Sequence, residues 1–344
     1  MFSFSDVDGD HVRTEGSVSH TPVLAFDDLT YTRSQVDALS AGFARTLAGR
    51  GVRAGQRVAL MSSNRPEFVF ALLAVWQLGA SAVLISPAWK DAEVGHALAV
   101  SGAEHAVGDH PVLAGLMSMH HLDEPITPAD PQPARPDPDS DAVLVFSSGT
   151  TGLPKAVRHT HRSFAAGVAH WRAALGMTAT DRMQIATPPS HILGLLNIAT
   201  VLDAGAWMRL HRRFDIDTML RHITDDGITI EMAVAPIALA IASHPDLESY
   251  DLSSLRYIMW CATPVTASVA EDVTRRTGVG WISAYGTSEV PVIACCPLDQ
   301  PRLDTVGRPV PGVEVRIAPT GEIEVRSESA MAGYLPDSAT ATAF

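Results

Sequence analysis

The stretch Ser147-Ser148-Gly149-Thr150-Thr151-Gly152-Leu153-Pro154-Lys155 constrains this chain more than any other. It follows an apolar, largely β-branched run from Ala142 to Phe146 that reads as a short buried strand. A strand that stops at four hydroxyls, two glycines and a lysine is suited to holding phosphate. Glycines allow close backbone approach, hydroxyls and amide N–H groups donate to oxyanions, and Lys155 supplies a point charge. It is not the common phosphate loop, because no Gly-Lys-Ser/Thr closes it and Pro154-Lys155-Ala156 does not open a helix in that way. Any four of these residues would read as a surface turn. Nine in this order behind a buried strand do not.

With 344 residues the chain exceeds one typical domain, so two or three packed units are expected. Apolar content of 46% supports a large core, and 18% charged residues is low for a disordered chain. The formal net charge of −13 argues against nucleic acid or an anionic membrane as partner. An anionic ligand must therefore be held by a local site working against the overall field. Cys261, Cys295 and Cys296 are too few and too irregular for a disulfide framework or a zinc site, and suggest a reducing, cytoplasmic setting. No basic-then-apolar leader opens the sequence, so no signal peptide is expected. Phe68 to Trp89 carries no charge and is long enough to span a bilayer. Yet Pro66 after Asn64 reads as a capped helix start and Gly79 as its end, with Ser81 to Ile85 a buried strand closed by Ser86-Pro87. Helix plus strand is the expectation, and no membrane span.

Tyr31 to Arg50 has apolar positions at helical spacing (Val36, Leu39, Phe43, Leu47) and ends at Gly49 and Gly51. Arg57 to Met61 reads as a strand, Asp91 to Val100 as a helix and Ala103 to Val107 as a strand. Six prolines between Pro125 and Pro138 make that segment a surface connection. Ala156 to Thr160 then reads as strand and Ser163 to Leu175 as helix. Further strands are expected near 183–187, 206–210, 229–235, 257–261 and 280–284. Alternating strands and helices imply an α/β fold with mostly parallel sheets covered on both faces. From Val306 the texture changes to short alternating strands, Val313 to Ile317 and Glu322 to Arg326, which read as the start of a small antiparallel barrel or sheet. The expected division is residues 1–182, a first α/β subdomain with the phosphate loop; 183–300, a second with the ligand pocket; and 301–344, the start of a small β subdomain.

The Ser147–Lys155 stretch resembles the signature loop of the adenylate-forming superfamily, which includes acyl- and aryl-CoA ligases, luciferases and the adenylation domains of peptide synthetases. The usual pattern there is SSGTTGLPKG; Ala156 stands at the last glycine, which leaves every polar group in place. Gly55 to Val58 and Asn64 to Phe68 resemble the family's opening segments, "GDRV" and "NxPEF". A second element, Ala284-Tyr285-Gly286-Thr287-Ser288-Glu289, offers a ring for a base, hydroxyls for phosphate and a carboxylate for a divalent cation. Alone it also fits a tight turn with an exposed Glu. It resembles the family's YGxTE, with Ser288 replacing Thr. The resemblance implies that Tyr285 packs on adenine, Ser288 meets the α-phosphate and Glu289 binds Mg²⁺ together with Thr151. It further implies catalytic roles for Lys155, Thr150, Thr151, Glu289 and His191, and nucleotide contacts from Ser147, Ser148, Gly149, Gly152, Ala262, Thr263, Gly286 and Thr287. The layered αβαβα arrangement of the superfamily's large domain is implied with it.

Three further elements carry the likeness. Pro188-Pro189-Ser190-His191-Ile192-Leu193-Gly194 resembles the family's P-x-x-H-x-x-G; a lone histidine is usually structural, but here it implies that His191, with Ile192 and Gly194, forms a wall and gate of the acyl pocket. His191 is no general base, because a carboxylate substrate needs no deprotonation at neutral pH. Met259-Trp260-Cys261-Ala262-Thr263-Pro264 resembles a turn of small residues between adenine and substrate; Trp260 and Cys261 would shrink or reshape the pocket, unless the indole faces the core behind the strand. Cys261 as a nucleophile lacks an evident His partner, and a structural thiol is commoner. Ala235, in the strand ahead of Pro236, is assigned to the substrate side. Gly321 to Leu335 matches GEIxVRGxxxMxGY, with Ser327 replacing a glycine, and is assigned a structural role.

In relatives the next residues bring a ribose-binding aspartate, a hinge and a mobile C-terminal domain with a catalytic lysine. The sequence stops at Phe344. The expectation is the large N-terminal domain of a longer enzyme, cut by design or by proteolysis, with a natural short form as the other option. Its activity would be impaired, since losing one charged transition-state donor costs on the order of 3 kcal/mol. The resemblance implies ATP- and Mg²⁺-dependent activation of a small-molecule carboxylic acid to an acyl-adenylate, with CoA as the acceptor. The local likeness is closer to CoA ligases than to amino-acid-activating domains, because no acidic residue stands where an α-amino group is bound. Two alternatives stay open: activation of a small non-carboxylate acid such as nitrite, and a nucleotide-binding module without catalysis.

Overall fold

The computed structural model describes residues 21–133, 136–147, 154–262 and 266–342. The chain opens with a hairpin, β1 (Pro22–Phe26) and β2 (Leu29–Thr32), followed by α1 (Arg33–Gly49), β3 (Arg57–Met61), α2 (Pro66–Gln77) and β4 (Ser81–Leu84). Then come α3 (Asp91–Ser101), β5 (His105–Gly108), α4 (Pro111–Leu116), β6 (Met119–His121), β7 (Asp141–Ser147) and β8 (Lys155–Thr160). The next unit holds α5 (His161–Leu175), β9 (Arg182–Ile185), α6 (Ile192–Ala204), β10 (Trp207–Leu210), α7 (Ile216–Asp226) and β11 (Ile230–Ala233). It continues through α8 (Ala235–Ser243), β12 (Tyr257–Trp260), α9 (Ala267–Thr277) and β13 (Trp281–Tyr285). Short strands finish it: β14 (Ala294–Cys295), β15 (Arg308–Pro309), β16 (Val313–Ile317), β17 (Ile323–Ser327) and β18 (Gly333–Leu335).

A seven-stranded sheet runs β18-β8-β7-β4-β3-β5-β6 and a nine-stranded sheet runs β15-β14-β13-β12-β11-β9-β10-β1-β2. The interior of each is parallel, and antiparallel pairs lie toward the edges. Strand alternation divides the apolar residues into three clusters. Val58 and Leu60 of β3 face a central layer with α1, α2, α5 and α6, as do Tyr257 and Met259 of β12. Ala59 and Met61 face α3 and α4 on one outside. Ile258 and Trp260 face α7, α8 and α9 on the other. The expected αβαβα layering is therefore present. α2 and α6 lie between two sheets and are buried nearly all round, which is why Phe68 to Trp89 carries no charge. Among the described residues no helix is long and apolar enough to cross a membrane.

The structure departs from the sequence reading in several places. Asn64 does not cap α2: Arg65 takes the cap position, without a side-chain bond, and Pro66 is the first helical residue. The Asn64 Nδ2 instead donates to Ile185 O at 3.0 Å and Thr187 O at 3.1 Å, fastening one sheet to the other. α5 starts at His161 rather than Ser163, because Thr160 is the cap and accepts from Ser163 N. Sheet membership also crosses the expected segments. β1 and β2 extend the nine-stranded sheet beside β10, and β18 joins the seven-stranded sheet beside β8. The small antiparallel sheet therefore consists of β16 and β17. The proline-rich connection carries neither helix nor strand over its described residues.

Candidate functional site

β7 and β8 form an antiparallel hairpin in which Ser147 pairs with Lys155. The two ends of the phosphate-loop stretch are thus held opposite each other. Ser148, Gly149, Thr150, Thr151 and Gly152 lie outside the described residues, as does Thr263. At the exit, His96 Nε2 donates to Pro154 O at 3.0 Å, anchoring the loop to α3. The partly buried Lys155 sends its ammonium to 5.3 Å from the ring centroid of Tyr334. Tyr334 sits on β18, paired with Val157 of β8.

The far end of that ring meets Glu289. Tyr334 Oη donates to Glu289 Oε1 at 2.8 Å. The Glu289 backbone O accepts from Met331 N at 2.8 Å. One residue earlier, Ser288 O accepts from His159 Nε2 at 2.8 Å. Burial pulls the His159 pKa below its ordinary value, so the ring is neutral with its hydrogen on Nε2, and Nδ1 faces Ser163 Oγ at 3.4 Å. The turn between Gly286 and Pro291 is closed by Thr287 N to Val290 O and Val290 N to Thr287 Oγ1. Only glycine fits at 286, since a Cβ there would stand 2.0 Å from Pro291 O.

Beside this turn is a cavity of about 200 Å³. Its described lining includes eight of the expected residues: His191, Ile192, Cys261, Ala262, Tyr285, Gly286, Thr287 and Ser288. They come from three turns, each following the C-terminal end of a parallel strand (β9, β12 and β13), where ligands of α/β sheets collect. His191 caps α6, its Nδ1 accepting from Leu193 N at 3.2 Å. The ring is exposed at the rim, yet the recess withdraws enough water to lower its pKa. With Nδ1 accepting from Leu193 N, the hydrogen of the neutral ring lies on Nε2. Gly194 packs rather than lines: a Cβ would lie 2.2 Å from Pro188 O, so it lets α6 approach the preceding turn.

Cys261 faces the cavity, its thiol 3.4 Å from Met232 Sδ and pushed up to about 12 by burial. It lines the cavity as a protonated thiol. Trp260 points the other way, into the cluster with Ala233, Ile237, Ala270 and Val273. The indole thus packs behind the strand, and the pocket is not reduced by it. Ala235 begins α8 and is not among the lining residues. Ala262 adopts φ +68°, a left-handed conformation costing roughly 1 kcal/mol for a non-glycine residue. Trp171 was not expected at the site; its Nε1 donates to Asn197 Oδ1 at 2.8 Å while the ring lines the cavity with Leu196. Its burial was legible from the helical period of α5, but no motif tied it to the 190 or 285 turns. Tyr334, assigned a structural role, contacts both Lys155 and Glu289.

Residues 13–335 match the model of the AMP-binding enzyme family. The chain is 31% identical over 361 residues to 4-coumarate–CoA ligase 1 from Solanum tuberosum, covering 90% of this chain and 65% of the ligase. It is 29% identical over 350 residues to feruloyl-CoA synthase from Amycolatopsis sp, covering 94% of this chain and 70% of that enzyme. The structure of o-succinylbenzoate coenzyme A synthetase (MenE) from Bacillus subtilis in complex with ATP and magnesium superposes with a TM-score of 0.84 at 26% identity, covering 94% of this chain and 71% of that one. The chain thus spans about two thirds of the length of such relatives. With family match, relatives and the arrangement of the three turns in agreement, the chain belongs to the AMP-binding enzyme family.

Proposed function

We propose that this chain carries the adenylation site of an AMP-forming acid–thiol ligase, which activates a carboxylic acid with ATP and, in the complete enzyme, passes the acyl group to CoA. One observation carries the reading. Three turns converge on a single uncharged cavity whose β13 wall runs directly into Glu289, with Lys155 across the Tyr334 ring. A substrate carboxylate oxygen attacks the α-phosphorus in line, the bond from that phosphorus to the bridging oxygen breaks, and pyrophosphate leaves with the electron pair. No side chain has to supply a base. Lys155 and the hydroxyls of Thr150, Thr151 and Ser288 hold phosphate oxygens, and Tyr285 and Ala262 border the adenine, so catalysis is positioning and charge stabilisation.

Magnesium fits the residues present. The Glu289 carboxylate takes one hydrogen bond on Oε1 and none on Oε2 among the described residues. This leaves one oriented oxygen for a cation that binds through one or two carboxylates plus phosphate oxygens. When bound, the ion neutralises phosphate charge; Glu289 and Thr151 would hold it.

The lining supports an acid with a compact, uncharged body. No charged side chain faces the cavity among the described residues, and its wall away from the Tyr285 turn is built of Trp171, Ile192, Leu193 and Leu196. An aryl acid suits it, in keeping with relatives named for 4-coumarate and feruloyl groups. The nitrite alternative rests on Trp260 and Cys261 reshaping the pocket; Cys261 lines the cavity, but Trp260 packs behind the strand. The test is ATP–pyrophosphate exchange by the protein in its full natural length, across aryl, fatty and α-amino acids. Exchange is expected with aryl acids and not with amino acids. ATP binding without exchange for any acid would overturn the proposal in favour of a nucleotide-binding module.

A further inference from the structure

We infer that Tyr334 is a positioning residue that aims Glu289 at its metal and keeps Lys155 from neutralising it. The inference rests on the reading of Glu289 as the magnesium-holding carboxylate. Lys155 and Glu289 are opposite charges at one site, yet they form no ion pair among the described residues. The phenol of Tyr334 contacts both. Its ring face takes the ammonium at 5.3 Å, and its hydroxyl donates to Glu289 Oε1 at 2.8 Å. A direct Lys155–Glu289 pair would occupy both groups: the amine would be withdrawn from phosphate and the carboxylate from the cation. With the phenol contacting both, each charge is satisfied weakly on one side and remains available on the other.

The ring is held where this requires. β18 pairs with β8 through Gly333–Arg158, Tyr334–Val157 and Leu335–Ala156. Met331 N is bonded to Glu289 O and Ala332 N to Arg158 O, both at 2.8 Å. Tyr334 N donates to Thr340 Oγ1 at 2.9 Å. The strand that carries the phenol is therefore tied to the backbone of the residue whose side chain it orients. Hydrogen bonds that orient a metal-binding carboxylate typically change metal affinity ten- to a hundredfold when removed.

The test compares the affinity for ATP in EDTA with that for Mg²⁺-ATP, by calorimetry, and reads their ratio. Tyr334→Phe removes one oxygen and keeps the ring on Lys155; the ratio should fall about tenfold while the Kd for metal-free ATP stays within about twofold. Tyr334→Leu removes both contacts and should also weaken metal-free ATP. Thermal unfolding of each variant establishes that it is folded. A Tyr334→Phe ratio equal to wild type, or a parallel loss with and without metal, would overturn the inference. Glu289→Gln separates it from the reading beneath: if that variant loses the magnesium preference and Tyr334→Phe does not, the Tyr334 inference fails alone. If Glu289→Gln keeps the preference, both fall.

Discussion

Replacing Glu231 with glutamine should flatten the pH dependence of stability between pH 6.5 and 8. Glu231 lies on β11 with its carboxyl fully buried beneath α7. Gln184 Nε2 donates to its Oε2 at 2.5 Å. Gln184 Oε1 in turn accepts from His211 Nε2 at 2.8 Å, and the His222 ring lies 5.2 Å from that of His211. Burial pushes the Glu231 carboxyl up to about 8 from an ordinary 4.5. Above pH 4.5 the unfolded chain releases this proton, whereas the folded chain keeps it until about pH 8. The unfolded state then binds fewer protons, so stability falls as pH rises through that window, at up to about 1.4 kcal/mol per pH unit. The buried histidines act elsewhere. His161 and His211 are pulled down to about 4 and His222 is also lowered by burial, so their contributions are lost as pH falls below 6.5. The histidine contribution is common to wild type and variant, so the difference between them isolates Glu231. Glutamine keeps the acceptor for Gln184 and has no proton to lose. Urea denaturation at half-unit steps should show the variant gaining roughly 1.5 kcal/mol on wild type across the window. Parallel curves would refute the buried, protonated carboxyl.

Gly286→Ala must displace the turn, because its Cβ would meet Pro291 O at 2.0 Å; overpacking of 1–3 kcal/mol converts to about a tenfold or greater rise in the Kd for ATP, checked by calorimetry. Asn64→Ala removes two hydrogen bonds between the sheets and strips Thr187 O of a donor; it should cost about 2–3 kcal/mol in urea denaturation, and a loss under about 0.5 kcal/mol would count against the fastening role. Cys261, with its thiol near 12, should hold roughly a thousandfold less thiolate than a free cysteine and resist iodoacetamide at pH 8 until the chain is unfolded, as read by peptide mass spectrometry. Rapid alkylation of the native protein would overturn that assignment.

Local chemistry was legible where it is written in consecutive residues. The Ser147–Lys155 stretch sits between two strands as its composition demanded, and the 191 and 285 turns lie at one cavity. What the sequence did not carry is adjacency between distant strands. Pro22 to Thr32 is two short edge strands with little periodicity, so neither they nor their place beside β10 was foreseen. Tyr334 was read as structural because its partners are 179 and 45 residues away along the chain. Alternation along β12 separates Trp260 from Met259 and Cys261, but a period of two does not say which face holds the ligand. Asn64 looked like a cap because its use, reaching across to Thr187, depends on sheet packing.

The first and last strands are stitched into opposite slabs, and this sets an order of assembly. Leu24 leaves the ribosome 184 residues ahead of Met208, its neighbour in the finished sheet. At about 5–20 residues per second the β1–β2 ribbon waits roughly ten to forty seconds for an edge to join. A lone two-stranded ribbon is marginal in water, so this segment is the one exposed longest to wrong partners. At the other end Tyr334 arrives after every other group named at the nucleotide turns. Newly made chains should therefore acquire their layers before they acquire competence to hold a metal–nucleotide complex.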